Sequence, residues 1–271
     1  MEQIDFRSIK DKNASVIIVI HNQSDVLKFQ LLSLKKQKTE RSFQVIVLDD
    51  GSNNKHTNEA LVVINASGLE VAYVRQEHRG FRASRARNQG IKLARGKFLI
   101  FLDGDMIPAE DFVQLHLQDQ EGSGTKTIVA GNRLRRPRSF MSGQPNIDQA
   151  LLSLPSHPIS RGQMTRHQKR EEEKRTEFIN SDHPWRCCFS CNMSVPNSPE
   201  IFFDERFVGW GPDDWHMAFR LFSKENYKVH YDADIIAYEI KTAGASNVLL
   251  KVGHEKIVQY RAILEARVHA L

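Results

Sequence analysis

Residues 15–20 read SVIIVI, an unbroken apolar and β-branched run of the length and composition of a strand buried on both faces. A helical period follows over residues 24–36, with Ser24 as a cap and Val26, Leu27, Leu31 and Leu34 on one face. Residues 43–48 return to strand character. Residues 58–64 and 83–94 predict further helices, and residues 71–74 and 98–102 further strands. This β-α-β-α-β-α-β alternation predicts an α/β fold with a parallel, doubly wound sheet flanked by helices. The ligand crevice of such a sheet lies at the carboxyl ends of its strands.

The second half is less regular. Residues 133–163 are rich in Pro, Ser, Arg and Gly and lack a period, which predicts a long loop over the site. A polar, charge-dense helix is expected over 163–178, a strand over 187–195, a helix over 212–222, a short strand over 228–231 and a closing helix over 247–268. The expected organisation is one domain, with a regular half at about 14–131, a less regular half at 132–240 and a helical segment at 241–271.

Charge changes this picture in one place. The formal net charge is +5, and between Asn132 and Phe178 ten Lys or Arg face five acids, so this stretch carries the whole excess. Two readings stay open: a solvated loop and helix, or a surface facing an anionic acceptor or membrane headgroups. The basic residues are not interleaved with aromatics, which argues against nucleic acid as a partner. No window approaches the roughly 18 apolar residues of a membrane helix. Residues 1–13 lack the apolar core of a secretory signal, so a cytoplasmic location is expected. Cys187, Cys188 and Cys191 lie within five residues, a spacing that suits no disulfide framework and supplies at most half a zinc site.

The candidate chemistry falls where the crevice should be. His21 and Asn22 follow the first strand, Asp49-Asp50-Gly51-Ser52 the second, and Asp103-Gly104-Asp105 the strand ending at Leu102. Two carboxylates flanking one glycine at a strand end suit a hard cation such as Mg²⁺ or Mn²⁺, which prefers oxygen and leaves positions open for phosphate. A cap and turn would explain Asp49-Asp50-Gly51-Ser52 alone, but not three acidic strand ends.

Residues 45–52 (VIVLDDGS), 80–90 (GFRASRARNQG) and 98–105 (FLIFLDGD) together resemble the donor half of family 2 glycosyltransferases, enzymes of the GT-A fold. The resemblance implies a Rossmann-like, mainly parallel sheet with a less regular acceptor-binding half. It also implies a nucleotide-sugar donor, of which a UDP-sugar is the expected kind. Asp50, with Asp49 beside it, would contact the base, and Arg87 and Asn88 would lie near base and phosphates. Asp103 would lie near ribose and metal, and Asp105 would bind the metal directly. Arg79 is a further candidate donor to the diphosphate.

A second resemblance covers Cys191-Asn192-Met193-Ser194-Val195, Phe203-Asp204-Glu205-Arg206-Phe207 and Gly209-Trp210-Gly211-Pro212-Asp213-Asp214. These are similar to the C-terminal part of galactosyltransferase-like enzymes, where a Trp-Gly-Gly-Glu-Asp turn opens a helix. Here Pro212 replaces a glycine, harmlessly at a helix entrance, and Asp213 replaces the glutamate. The match implies that Asp214 is the general base of an inverting transfer to a hydroxyl-bearing glycan or glycoconjugate, and that Asp213 binds the acceptor. Trp210 is either core or an apolar platform for a sugar. Where related enzymes complete the metal site with a His, this chain has Glu239, with His254 as a fallback. A sugar nucleotidyltransferase would show a Gly-rich loop after the first strand, whereas this chain reads His21-Asn22-Gln23-Ser24. A nucleotide- or anion-binding module without turnover stays open as an alternative.

Overall fold

The computed structural model describes residues 11–124, 126–142, 146–154, 165–209 and 211–240. In chain order the elements are β1 (Lys12–Ile20), α1 (Ser24–Lys35), β2 (Phe43–Asp49), α2 (Asn54–Ser67), β3 (Val71–Arg75), α3 (Ala83–Leu93), β4 (Gly96–Asp103) and β5 (Met106–Pro108). Then follow α4 (Phe112–Gly122), β6 (Thr127–Arg136), α5 (Ser139–Ser142), α6 (Ile147–Leu152), α7 (Arg166–Ile179), a 3-10 turn (Pro184–Cys187), β7 (Asn192–Pro196), α8 (Asp213–Lys224) and β8 (Lys228–Ile240).

The eight strands form one sheet in the order β3-β2-β1-β4-β7-β6-β8-β5. From β3 to β4 it is parallel, as the alternation of strands and helices predicts. Beyond β4 it becomes mixed, because β7 runs antiparallel to both β4 and β6 while β8 runs parallel to β6. The central strand β1 shows why its sequence is continuously apolar: Ile17 joins the core on one face, and Ala14, Val16, Ile18 and Ile20 join the core on the other. Helix α3 lies close against this sheet at Gly90, where a Cβ would meet Ile17 Cγ2 at 2.7 Å and Leu48 Cδ2 at 2.9 Å.

A buried polar cluster fastens the second half to the first. His116 of α4 lies 3.0 Å from Ser194 Oγ through Nδ1 and 3.0 Å from Asn192 Oδ1 through Nε2. Asn192 Nδ2 donates to the carbonyls of Asn132 and Ile235 at 2.8 and 2.9 Å, and Gln120 Nε2 donates to Ser194 Oγ at 3.0 Å. Since the amide oxygen of Asn192 can only accept, His116 carries its proton on Nε2 and accepts from Ser194 at Nδ1. One histidine thus helps to hold α4, β6, β7 and β8 together.

Several expectations need correction. Residues 133–136 belong to β6, and α5 and α6 occupy part of the stretch read as a loop. Residues 187–191 are not strand, since β7 begins at Asn192 after the 3-10 turn. The last strand is 13 residues long, so Glu239 lies inside β8 rather than after a short strand. Elements α4 and β5 and residues 127–132 of β6 had no counterpart in the sequence pattern. Trp210, His254 and the helix expected over 247–268 lie outside the described residues. No helix among the described residues is long and apolar enough to cross a membrane.

Candidate active site

The strand ends meet where the order of the sheet reverses between β1 and β4, and each turn there is locked by its own polar groups. Asp49 Oδ1 accepts from Ser52 N at 2.6 Å and its Oδ2 from Tyr73 OH at 2.7 Å, so this buried acid builds the turn. Asp50 accepts from Gln76 Nε2 at 2.5 Å and from Arg82 N at 2.7 Å. His21 Nδ1 lies 2.9 Å from the Asp50 carbonyl oxygen, and its ring stacks on His78 with centroids 4.9 Å apart. Asn22 takes the left-handed conformation (φ 54°), donating its N–H to Ser52 Oγ and accepting from Asn53 N at Oδ1. Gly51, at φ 75°, packs on His78, which a Cβ would meet at 2.5 Å.

The Asp103-Gly104-Asp105 turn has its own steric reason. A Cβ on Gly104 would lie 2.6 Å from the Val19 carbonyl oxygen, so only glycine lets the turn close over the end of β1. Asp105 is then fixed by its carbonyl, which accepts from Ile240 N at 2.8 Å, and by the pairing of Met106 with Glu239. Burial and the carboxylates of Asp103 and Glu239 push Asp105 up to about 7. Acids that outnumber the arginines beside them are the electrostatic condition that a divalent cation relieves.

In the same cleft, Arg87 of α3 is buried with its guanidinium shared. Its Nη2 donates to Asp103 Oδ1 at 2.8 Å and its Nη1 to Asp213 Oδ2 at 2.9 Å, and Ser84 Oγ donates to the same Asp213 oxygen at 3.0 Å. Burial opposes its charge, but Asp103 and Asp213 outweigh that cost and hold it protonated. The next residue behaves differently. Asp214 opens to the cleft, accepting from Trp215 N at 2.8 Å and Ser190 N at 3.4 Å, and burial together with Asp213 pushes it up to about 7.

The cleft holds about 470 Å³, and Asp103, Asp105, Asp213, Asp214 and Glu239 line it with Arg87, Arg133 and Arg135. Glu239 already has ion-pair partners: its Oε2 lies 3.3 Å from Arg133 Nε and 2.9 Å from Arg135 Nε. Among the described residues no group of three or more His, Cys, Asp or Glu is arranged to hold a metal ion. Asp103 and Asp105 nevertheless fit a cation bound through two carboxylates, with its remaining positions left for phosphate and water.

These features fix an acid-lined crevice at the switch point of an α/β sheet, and the model of glycosyl transferase family 2 matches residues 15–195, two thirds of the chain. The chain belongs to glycosyl transferase family 2. It is 29% identical to a hyaluronan synthase of Pasteurella multocida over 92% of its own length and 28% of that protein. It is 30% identical to a chondroitin synthase of Pasteurella multocida (strain Pm70) over 94% of its length and 28% of that protein. The chain therefore spans little more than a quarter of these relatives. Among solved structures, it resembles the mannosyltransferase PcManGT from Pyrobaculum calidifontis in complex with GDP-Man and Mn²⁺ (TM-score 0.59, 15% identity, 88% of this chain and 59% of that one). It also resembles S. aureus TarS 1-349 in complex with UDP (TM-score 0.56, 15% identity, 85% of this chain and 61% of that one). These likenesses give the GT-A fold.

Of the residues that this family 2 chain contributes from its motifs, Arg87, Asp103, Asp105, Asp213, Asp214 and Glu239 come together in one cleft. Asn88 is engaged elsewhere, with Nδ2 donating to the Phe203 carbonyl at 2.8 Å and Oδ1 accepting from Phe203 N at 2.8 Å. Arg79 is exposed and paired with Glu77 at 2.7 Å. The three cysteines are buried free thiols, and Cys191 reaches the cleft wall. Sequence reasoning missed Ser84, Phe189 and the individual placing of Arg133 and Arg135. The last two had a signal: Arg133-Leu134-Arg135 alternates with period two, which puts both arginines on one strand face and buries Leu134 on the other.

Proposed function

We propose that this chain transfers a sugar from a UDP-linked donor to a hydroxyl of a glycan-type acceptor, with inversion and with help from Mg²⁺ or Mn²⁺. The observation that carries this reading is the gathering of two acid groups in one cleft, the Asp103 and Asp105 turn and the carboxylate of Asp214. A cation held by Asp103 and Asp105 would neutralise charge on the departing diphosphate. Asp214 would accept the proton of the acceptor hydroxyl as its oxygen attacks the anomeric carbon, a task suited to a carboxyl near 7. Asp50, with His21 and Asn22 beside it, would meet the base. Arg87 acts as a positioning residue: it fixes Asp103 and Asp213 against each other and so sets the distance between the donor and acceptor sides. Asp213, buried and engaged by Arg87 and Ser84, serves that clamp and orients Asp214 rather than reaching freely into the cleft.

The relatives named hyaluronan and chondroitin synthases support a glycan acceptor, and the neighbours in complex with UDP or with GDP-Man and Mn²⁺ support a nucleotide-sugar donor with a divalent ion. Calorimetry of UDP with Mn²⁺ and then with a chelator tests the donor side. Affinity should fall sharply on chelation, and Asp105→Ala should reproduce the fall. NMR of the product tests the acceptor side, where a β-linkage formed from an α-linked donor is expected. An α-linkage would remove the inverting mechanism, and UDP binding without any transfer would favour a nucleotide-binding module without turnover.

A further inference from the structure

The mouth of the cleft carries an apolar group that neither donor binding nor proton transfer uses. Phe81, in the turn before α3, lines the cleft and yet is 46% exposed, whereas the rings of Phe189 and Trp215 are half-buried in the cleft wall. The backbone of Phe81 is held on two sides. Its carbonyl accepts from Gly209 N at 2.9 Å, and the N–H of Arg82, next in sequence, donates to Asp50 Oδ2 at 2.7 Å. Gly80 and Gly209 both take the left-handed conformation, at φ 79° and 89°, so each chain turns sharply where the two meet.

The two anchors belong to different sides of the reaction. Asp50 stands on the base side of the donor, whereas Gly209 precedes in sequence the cleft-lining Gly211 and Pro212 and the acids Asp213 and Asp214 that open α8. Val208, just before Gly209, is 51% exposed, so a second apolar side chain adjoins Phe81. A lone exposed apolar residue needs no explanation. A phenyl ring on a backbone fixed by hydrogen bonds, with an apolar neighbour, at the opening of an acid-lined cleft is a surface prepared for a ligand. The ring offers no hydrogen bond, and its negative π face suits the positively polarised C–H groups on one side of a pyranose.

We propose that Phe81, with Val208 beside it, is a specificity-determining platform that takes the apolar face of the acceptor's second sugar unit, the one joined to the unit whose hydroxyl reaches Asp214. This rests on the glycosyltransferase reading and deepens it by naming what the cleft mouth selects. The charged floor chooses the reacting hydroxyl, and the rim chooses what is attached to it. A ring on a fixed backbone loses little conformational freedom when a ligand covers it, which suits it to this task. The contact lies away from the reacting atoms and is the same before and during transfer. It should therefore lower the acceptor KM and leave kcat unchanged.

The test is an NMR titration of the protein, saturated with UDP and Mg²⁺, with paired methyl and phenyl β-glycosides of glucose, galactose, N-acetylglucosamine and N-acetylgalactosamine. The phenyl group stands where the second sugar unit would. In at least one pair the phenyl glycoside should bind roughly 3- to 10-fold more tightly, the range of an aromatic contact. Phe81→Ala should remove this preference, Phe81→Trp should keep it and Val208→Ser should reduce it, while UDP affinity stays at the wild-type value in each variant. The bonds that anchor Phe81 are made by backbone atoms, so these substitutions leave them in place. A role in packing alone would not separate phenyl from methyl glycosides. Absence of a phenyl preference from every pair in the wild type overturns the proposal, and so does a preference that survives Phe81→Ala. Loss of UDP affinity in Phe81→Ala as large as the loss of phenyl glycoside affinity also overturns it, since the ring would then serve the base. If UDP does not bind at all, the donor reading fails by itself, and the same titrations without UDP judge the platform by the same criteria.

Discussion

Two buried polar regions flank β7, and they are built on opposite rules. Around His116, donors and acceptors meet one another: both ring nitrogens are engaged, and Asn192 and Ser194 link α4 to three strands. Around Asp105 and Asp214, carboxylates face carboxylates, and among the described residues Arg87, Arg133 and Arg135 line the same cleft with positive charge. The first region uses burial to strengthen the hydrogen bonds that engage both ring nitrogens of His116. The second uses burial to raise the cost of charge, which stores an electrostatic demand for a cation and a proton donor. Polarity inside a protein thus marks function where its groups lack complements, and structure where they have them.

The largest expected effect lies in the unmatched region. Asp214→Asn keeps the shape of the side chain but cannot take a proton, so turnover should fall by roughly 10²–10⁴-fold while UDP affinity hardly moves. Single-turnover kinetics beside UDP calorimetry will show whether chemistry and binding separate in this way. A near wild-type rate in the variant would mean that Asp214 is one more structural acid, and the contrast between the regions would collapse.

Next in size is a cut in the matched region. His116→Leu leaves Asn192 Oδ1 without its donor and Ser194 Oγ without its acceptor, and should cost about 1–3 kcal/mol of stability. Urea denaturation measures this loss. Turnover per folded molecule should stay near the wild-type value, since no atom of His116 lines the cleft. A stable but inactive variant would show that the cluster does more than hold strands.

The smallest effect, and the sharpest contrast, is in the sign of pH dependence. Burial lowers His116 to about 4, below the roughly 6.5 of the unfolded chain, so its contribution is complete above 6.5 and is lost as pH falls toward 4. Asp214 is raised to about 7 from an unfolded value near 3.8, so the folded state is favoured while the group stays protonated and loses that advantage as pH rises toward 7. Asp214→Asn should therefore be more stable than wild type at pH 8 and equal to it at pH 4. His116→Leu should narrow its stability deficit as pH falls from 6.5 to 4. Thermal melts of the metal-free proteins across this range check both slopes, and parallel profiles for the two variants would refute the distinction.

Much of the donor half was legible because its physics is local. A strand buried on both faces must be apolar at every position, so residues 15–20, 43–48 and 98–102 announce themselves. A ligand site at the strand ends must begin where the apolar run stops, so Asp49, Asp50, Asp103 and Asp105 stand out without any knowledge of packing. Helix α8 and its two leading acids are also local, an amphipathic run opening after Pro212. Strand β6 was not read at all, and from Arg133 onward it was taken for a loop, because alternating arginines at a cleft look like a basic loop when the opposing strand is unknown.

What only tertiary structure decided is partnership. Nothing near Arg87 in the chain indicates that one of its nitrogens holds Asp103 and another Asp213, 126 residues away. The same holds for Glu239, which meets Arg135 because β6 and β8 pair in parallel register across an irregularity between Ala130 and Asn132. It holds for His116, an unremarkable residue on a weakly patterned helix until β7 lies beside it. Apolar periodicity depends on the few residues that share a face, whereas ion pairs and hydrogen bonds depend on which strands become neighbours and in what register. The sequence by itself therefore determined the elements of the donor half and the acids at their ends, and the fold alone determined which acids received a counter-charge and which were left to demand one.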